Sequence, residues 1–530
     1  MAEKIKKNHL TIFLLSDSFS EEQIASLQHL VAKTDIGNVY YEKKENSLPL
    51  WEKFFTGTSY PFPSMSIASI RAVLIVPVDI DTVDGQKVTK TFALCFGRGE
   101  YLLPPDSIED RFGLRVVLNS LKEKQLRQIR KNSLGGKQTK STEQAPSPSD
   151  ISGFSFDHTT DLLVSATGKC TDKTFFEGMM TGSDGFTASV PYDISSIKGF
   201  LKKLYDKSIG KNYQTLFPWV DEIVDVKSEL LSNELFQLAI QLFRAKNPAI
   251  YLAIPEDIDW TSVSTFKFGE NDIGDDITSE AVFPLLPKDC NSLEKLKSEK
   301  VTALSADGSQ EYRSWSLDKC FYGEIEHDGI TYCVNCGKWY RIDKDFLKLV
   351  NDYYDNAPVS KLVFPEYDPT VGGEGEYNEL VAKEHPQQFL LLDKKEVVYG
   401  GGHSKIELCD LLAKPNTLIH VKKYTSSSTL SHLFEQGYVS GALLSHDKDF
   451  MALSNQVISD NDGGGFLLSN ENDYKIVYAI LSRDGAQRPH IPFFSKLTFK
   501  SRSEDLSAMH EKVEIVAIQY AKTQNPEKSE

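Results

Sequence analysis

The sequence predicts an α/β chain of several domains, α+β overall, whose C-terminal part is a mixed sheet flanked by helices. Three observations carry this. The chain has 530 residues, room for three or four domains at about 150 residues each. Short apolar runs rich in β-branched residues alternate with amphipathic stretches from end to end. Between Gly375 and Leu444, a helical stretch, several strand-like runs and a second helical stretch follow in order around the turn Ala413-Lys414-Pro415-Asn416.

Residues 1–121 read as the first α/β domain. Strands are expected at Leu10–Leu15, Arg71–Asp79 and Thr91–Phe96, then a run at Tyr101–Leu103 and a helix over Phe112–Leu121. Gly97-Arg98-Gly99 lacks the spacing of a phosphate loop and reads as a hairpin turn. The lead MAEKIKKNHLTIFLLSD lacks the small-residue cleavage site of a signal peptide.

Residues 122–150 open basic and end in STEQAPSPSD, a composition expected of a linker. A second α/β domain is expected over 151–300, with helices at Ile197–Tyr205 and Glu229–Arg244 and strands at Tyr251–Ile254 and Ser262–Phe268. Asp157, His158 and Asp161 lie close in sequence and are of metal-ligating type, but Asp157 and its threonines also make a helix start, the favoured reading. Residues 301–358 form a connector of a hairpin across Asp328-Gly329 and a helix. In it Cys333 and Cys336 have zinc-knuckle spacing, and Cys320 and His327 offer two more ligands. A second paired knuckle is absent, so zinc is disfavoured and the cysteines are read as flanking a bend.

Residues 359–522 hold the stretch with the most chemistry, ahead of a polar tail at 523–530. GEYNELVAKEH (Gly375–His385) reads as a helix with Glu376 or Glu379 facing a site, and Gln387–Lys395 as a buried strand ending at Asp393. Ile406–Leu412 and Thr417–Tyr424 read as paired strands, since Pro and Asn between them favour reversal. Alternation puts His420 and Lys422 on one side, Ile419 and Val421 on the other. The hairpin then brings Asp410, His420 and Lys422 together. A carboxylate suits a hard cation such as Mg2+ or Mn2+, and a lysine nearby can orient water or neutralise developing charge. Asp393 and Glu407 are candidate second acids; Glu407 ranks lower, because a regular strand turns it away from Asp410. His420 is a candidate ligand or general base. After the lysine, Thr/Ser residues start a helix whose apolar face is Leu430, Leu433 and Phe434. Its Ser428, His432, Gln436 and Ser440 form a polar stripe; Ser428, His432 and Gln436, with Lys423 and Tyr424, are the candidate nucleic-acid contacts.

Two resemblances sharpen this. The 405–424 segment resembles the PD-(D/E)xK restriction-endonuclease core, especially restriction enzymes of modified DNA. Those enzymes end this strand with glutamine or glutamate-x-lysine followed by basic and aromatic residues; the matching residues here are Asp410 and Lys422, with Lys423 and Tyr424 behind them. The departure is His420, where that family has a carboxylate or amide. Imidazole is a poor Mg2+ ligand. Across the whole chain, TFALCFGRG, TTDLLVSATG, FPWVDEI, CGKWYRID, IHVKKY, LSHLFEQG and IPFFSKLTF resemble an uncharacterised, sporadically distributed bacterial family of unknown function. Its members lack the two cysteines near GKWY, a further argument against zinc. Its scattered occurrence is that of mobile defence or toxin genes.

The net charge of −16 argues against a general nucleic-acid coat, since non-specific affinity needs many Lys and Arg, yet a local basic groove is enough for a nuclease. No apolar run reaches the roughly 20 residues of a membrane span. Seven irregularly spaced cysteines fit reduced thiols in a cytoplasm. The expectation is a cytoplasmic, metal-dependent endonuclease, a hydrolase cutting DNA in bacterial antiphage defence or restriction, acting alone, as a homo-oligomer or with a defence partner. The alternatives are a non-catalytic nucleic-acid-binding or sensor protein with a degenerate nuclease fold, and a ribonuclease-type toxin.

Overall fold

The computed structural model describes residues 7–521 apart from 26–29, 48–54, 56–66, 82–85, 105, 135–138, 256–257, 259–262, 275–276, 306–307, 309, 371, 400–403, 425–426, 463, 470–473 and 483–484. The polar tail at 523–530 lies outside the described residues. The chain is an α+β multidomain protein of mixed helices and sheets. It divides into two compact units. The first comprises residues 1–132, 140–221 and 227–232, and the second 133–139, 222–226 and 233–530.

The first unit is built on one ten-stranded sheet. Its elements are β1 (Asn8–Leu14), α1 (Glu21–Ala25), β2 (Leu30–Thr34), β3 (Gly37–Ser47), β4 (Ile67–Asp81), β5 (Lys87–Phe96), α2 (Phe112–Leu118), β6 (Leu126–Ser133), β7 (Thr139–Ser149), β8 (Asp161–Asp172), β9 (Phe176–Gly182), β10 (Phe186–Val190) and α3 (Ile197–Ile209). The strand order is β2-β3-β4-β5-β1-β10-β9-β8-β6-β7. The strand expected at Leu10–Leu15 is β1, and its Leu10, Ile12 and Leu14 are buried in turn in one core with Phe112, Val116 and Phe200 of the helices. Glycine lets α2 lie directly on the strands. A Cβ on Gly113 would stand 2.0 Å from the Gly185 carbonyl oxygen, and one on Gly182 would stand 2.1 Å from that of Gly113.

Several expectations change here. The 122–150 segment is not a linker but contains β6 and β7. Its prolines fit because β7 is the last strand of the sheet, where an edge N–H needs no ladder partner. Its basic character is partly spent inside the fold, since Lys131 pairs with Asp161 at 2.7 Å and Glu143 at 3.3 Å. After β5, Gly97 and Arg98 take positive φ and lead into a short 3-10 turn over Gly99–Leu102 rather than a hairpin. Asp157 accepts the Thr159 N–H and the Thr160 hydroxyl, shaping a turn before β8 rather than starting a helix.

In the second unit come β11 (Ile223–Asp225), α4 (Glu229–Arg244), β12 (Ile250–Leu252), β13 (Val263–Phe268), β14 (Asn271–Gly274), α5 (Ser279–Val282), α6 (Leu293–Ser298), β15 (Lys300–Ser305), β16 (Glu311–Ser316), β17 (Phe321–His327), β18 (Ile330–Asn335), β19 (Lys338–Ile342) and α7 (Lys344–Asp355). They form a five-stranded antiparallel sheet, β11-β19-β18-β17-β12, and a four-stranded one, β14-β13-β15-β16. The β17–β18 hairpin turns at Asp328-Gly329, both with positive φ. Cys333 sits inside β18. The Cys336 thiol donates to the Pro255 carbonyl at 3.2 Å and lies 3.3 Å from the Tyr322 hydroxyl. His327 pairs with Glu234 at 3.3 Å. Cys320, His327, Cys333 and Cys336 do not form a ligand group among the described residues.

The last part holds α8 (Glu374–Glu384), β20 (Phe389–Leu391), β21 (Glu396–Tyr399), β22 (Ser404–Glu407), β23 (Leu411–Ala413), β24 (Thr417–Lys423), α9 (Ser427–His446), α10 (Lys448–Asp462), β25 (Lys475–Ser482), α11 (Phe493–Ala508) and β26 (Lys512–Gln519). The sheet order is β20-β23-β24-β25-β26, antiparallel at the first two pairings and parallel at the last two. One face packs Leu418, Ile476, Tyr478 and Ile480 against Leu430, Leu433, Phe434 of α9 and Phe499, Leu506 of α11. The other packs Ile419, Val421 and Val477 against Tyr377 and Val381 of α8. Strands covered on both faces read as near-continuous apolar runs, as β25 does. No helix among the described residues is long and apolar enough to cross a membrane.

Candidate metal centre

The site grows from the β23–β24 hairpin. Leu411 faces Ile419 and Ala413 faces Thr417 across a turn with a cis Lys414-Pro415 bond and Asn416 at positive φ. Asp410 stands just before β23. Its N–H donates to the Ile419 carbonyl at 3.0 Å, and its carboxylate accepts the Val421 N–H at 2.6 Å. The Asp410 carbonyl in turn accepts the Leu392 N–H at 2.8 Å, which seats Asp393 beside it. The chain then turns at Lys394, at positive φ, into the small β21–β22 sheet. It returns through Glu407, whose carboxylate accepts the Lys394 N–H at 2.6 Å.

One carboxylate oxygen each from Asp393, Glu407 and Asp410 lies within 4.8 Å of the others, and all three residues are half-buried. The run Ile406–Leu412, expected as one strand, is broken between β22 and β23. The break undoes the simple alternation and lets Glu407 share the site with Asp410. Ser440 of α9 donates to the Glu407 carbonyl at 3.3 Å and braces this end of β22.

Like charges held this close oppose each other. Burial first, then the charges of Glu374, Glu407 and Asp393, push the Asp410 carboxyl well above the usual range, against the lowering effect of the Val421 N–H. Glu407 is likewise raised by burial and by Asp393 and Glu374, while the Lys394 N–H and Lys422 pull it down. A cation relieves this repulsion. The donor set is all carboxylate oxygen, which fits a hard divalent ion such as Mg2+ or Mn2+.

Lys422 reaches the cluster from the end of β24. Its Nζ donates to Glu374 at 3.1 Å, and the Lys423 N–H donates to the other Glu374 oxygen at 2.9 Å. Glu374 opens α8, and sequence reasoning missed it by starting the helix one residue later. The signal available was an acid directly after Gly372-Gly373, where a helix N-terminus favours negative charge. Gly375 allows close approach, since a Cβ there would stand 3.2 Å from an Asp393 oxygen. Glu376 accepts the Gly373 N–H at 2.9 Å, serving the start of the helix, and Glu379 is exposed; neither belongs to the carboxylate cluster.

The remaining expected residues are dispersed. His420 is 2% exposed, with its ring 6.2 Å from that of Tyr478 under α9. Its Nε2 has no hydrogen-bond partner among the described residues, and burial lowers its pKa to about 4. The expected Asp410–His420–Lys422 trio is therefore corrected: the imidazole lies in the core rather than with the acids. Lys423 is half-buried, and Tyr424 lines a separate cavity. On α9, His432 is exposed and Gln436 half-buried. The Ser428 side chain lies outside the described residues.

A family model, described as a family of unknown function and designated DUF6119, matches residues 10–519. The chain belongs to DUF6119. The DUF6119 match takes in the whole cluster, Glu374 and Lys422 included. No curated protein and no solved structure matches the chain.

Proposed function

We propose that this DUF6119 protein is a divalent-metal-dependent nuclease that cuts DNA phosphodiester bonds, with its reactive centre at Asp393, Glu407, Asp410 and Lys422. The observation that carries the reading is the convergence of three carboxylates within 4.8 Å beside a lysine at the end of the same hairpin. Within the five-stranded sheet the order helix, three strands, helix (α8, β20, β23, β24, α9) supports it, being the order of the nuclease core that the sequence resembles, with the β21–β22 hairpin inserted after β20.

The three carboxylates would hold the ion. When bound, such an ion polarises a phosphoryl oxygen and acidifies a water. Lys422 offers an ammonium to the phosphate or the attacking water, where charge develops. Glu374 positions that ammonium and fixes the strand end through the Lys423 N–H. His420, buried and neutral, contributes packing. A cytoplasmic role in antiphage defence or restriction, alone or with a partner, belongs to this reading.

A second reading is a non-catalytic nucleic-acid sensor, favoured by one observation: a buried histidine stands where the resembled nucleases carry a metal-ligating or amide side chain. Incubation of supercoiled plasmid, methylated and unmethylated, and of RNA, with Mg2+, Mn2+ or chelator separates these. The nuclease reading expects metal-dependent DNA nicking that Lys422→Ala abolishes. Binding without cutting in every condition supports the sensor, and preferential loss of RNA supports a ribonuclease.

A further inference from the structure

A cavity of about 550 Å3 opens at the carboxyl ends of the three parallel strands β24, β25 and β26. Tyr424, Ser482 and Tyr520 stand at those ends, and Tyr251, Thr278 and His490 complete the aromatic and polar wall. In open α/β sheets this edge is where ligands gather, and the volume is that of a small-molecule pocket. Tyr251 is held flat by stacking on Tyr322, with planes 21° apart and centroids 6.1 Å apart. Tyr424 is two residues beyond Lys422, so one strand end connects the carboxylate centre with the cavity.

We propose that this cavity receives a single nucleobase swung out of the bound DNA strand, close to the phosphate that is cut. The inference rests on the nuclease reading and deepens it by naming how the strand is gripped. Tyrosine rings offer π-faces to which any base stacks. Ser482, Thr278 and His490 offer hydroxyl and imidazole groups to a base edge, the combination used where bases are read outside the helix. A backbone tracked by Lys422 and Lys423 would deliver the base to Tyr424.

The test uses the full chain carrying Asp410→Asn, so that DNA is bound without being cut, in Ca2+. Duplexes carry one 2-aminopurine at successive positions, a base whose fluorescence rises when it unstacks. The expected result is a several-fold rise at one position. Tyr424→Ala should abolish it and weaken binding by roughly ten- to hundredfold. Glu280→Trp, at an exposed position on the cavity wall, should block entry without touching the core, and so covers the case in which Tyr424→Ala does not fold. Wild type that cuts DNA while every 2-aminopurine stays dark overturns this inference alone. Free nucleotides filling the cavity while duplex bases stay stacked overturns it in favour of a soluble ligand. A chain that neither binds nor cuts DNA removes the nuclease reading and this inference together.

Discussion

The Asp410 carboxylate accepts the Val421 N–H at 2.6 Å, across the hairpin and one residue before Lys422. The bond ties the acid to the strand that presents the lysine, so the two cannot move independently. It also leaves Asp410 facing three other carboxylates at half-buried positions.

That crowding sets a pH dependence for the metal-free chain. Asp410 and Glu407 have folded pKa values raised above their unfolded ones. Their contribution is therefore complete below the usual carboxylate range and is lost as pH rises through the raised values. Asp410→Asn should make the metal-free chain more stable at pH 8, on the order of 1 kcal/mol, and equal or less stable at pH 4. Urea denaturation at both pH values checks this; a variant destabilised at pH 8 would show that the acids are not in conflict.

His420 has the opposite sign. Its folded pKa is lowered to about 4, so its contribution is present above about 6.5 and lost as pH falls toward 4. The loss amounts to about 3 kcal/mol. His420→Leu should remove this acid sensitivity and keep DNA cutting within a few-fold of wild type at neutral pH. Loss of cutting by a well-folded His420→Leu chain would restore the histidine to the chemistry.

Glu374→Gln should reduce cutting about 10- to 100-fold, the range seen when a group that orients a ligand is neutralised. Lys422→Ala should cost at least about 100-fold. The pair should be far from additive, because Glu374 acts through Lys422. Single-turnover rates of both singles and the double measure this, and simple multiplication of the two losses would contradict it.

In the first unit, Gly113→Ala should destabilise by at least about 2 kcal/mol, because the added Cβ meets the Gly185 backbone at 2.0 Å. Thermal unfolding followed by proteolysis within residues 1–132 reads this directly, and a neutral result would mean that α2 shifts freely.

The hairpin was legible because Pro415 and Asn416 mark a reversal between apolar runs, and register then follows from counting. Asp410 could be named because the predicted hairpin sets it across from the strand of His420 and Lys422, and Asp393 because it closes the apolar run that follows Gln387. Glu407 was ranked low because the period-2 rule assumes an unbroken strand, and no local residue announces the break after β22. Glu374 was hidden one residue outside the helix as read. The burial of His420 depends on α9, which packs from sequence downstream, so no local pattern reports it. In the first unit, STEQAPSPSD looked like a linker because composition cannot distinguish an edge strand from an unpaired segment.

The carboxylate centre is tested most directly by calorimetric titration of Mn2+ into the wild-type chain and into Asp393→Asn, Glu407→Gln and Asp410→Asn. Saturable binding is expected for wild type at neutral pH, weakened at least about tenfold by each single substitution and reduced as pH falls and Asp410 and Glu407 take protons. Binding left unchanged by all three substitutions, or none by wild type, would contradict it.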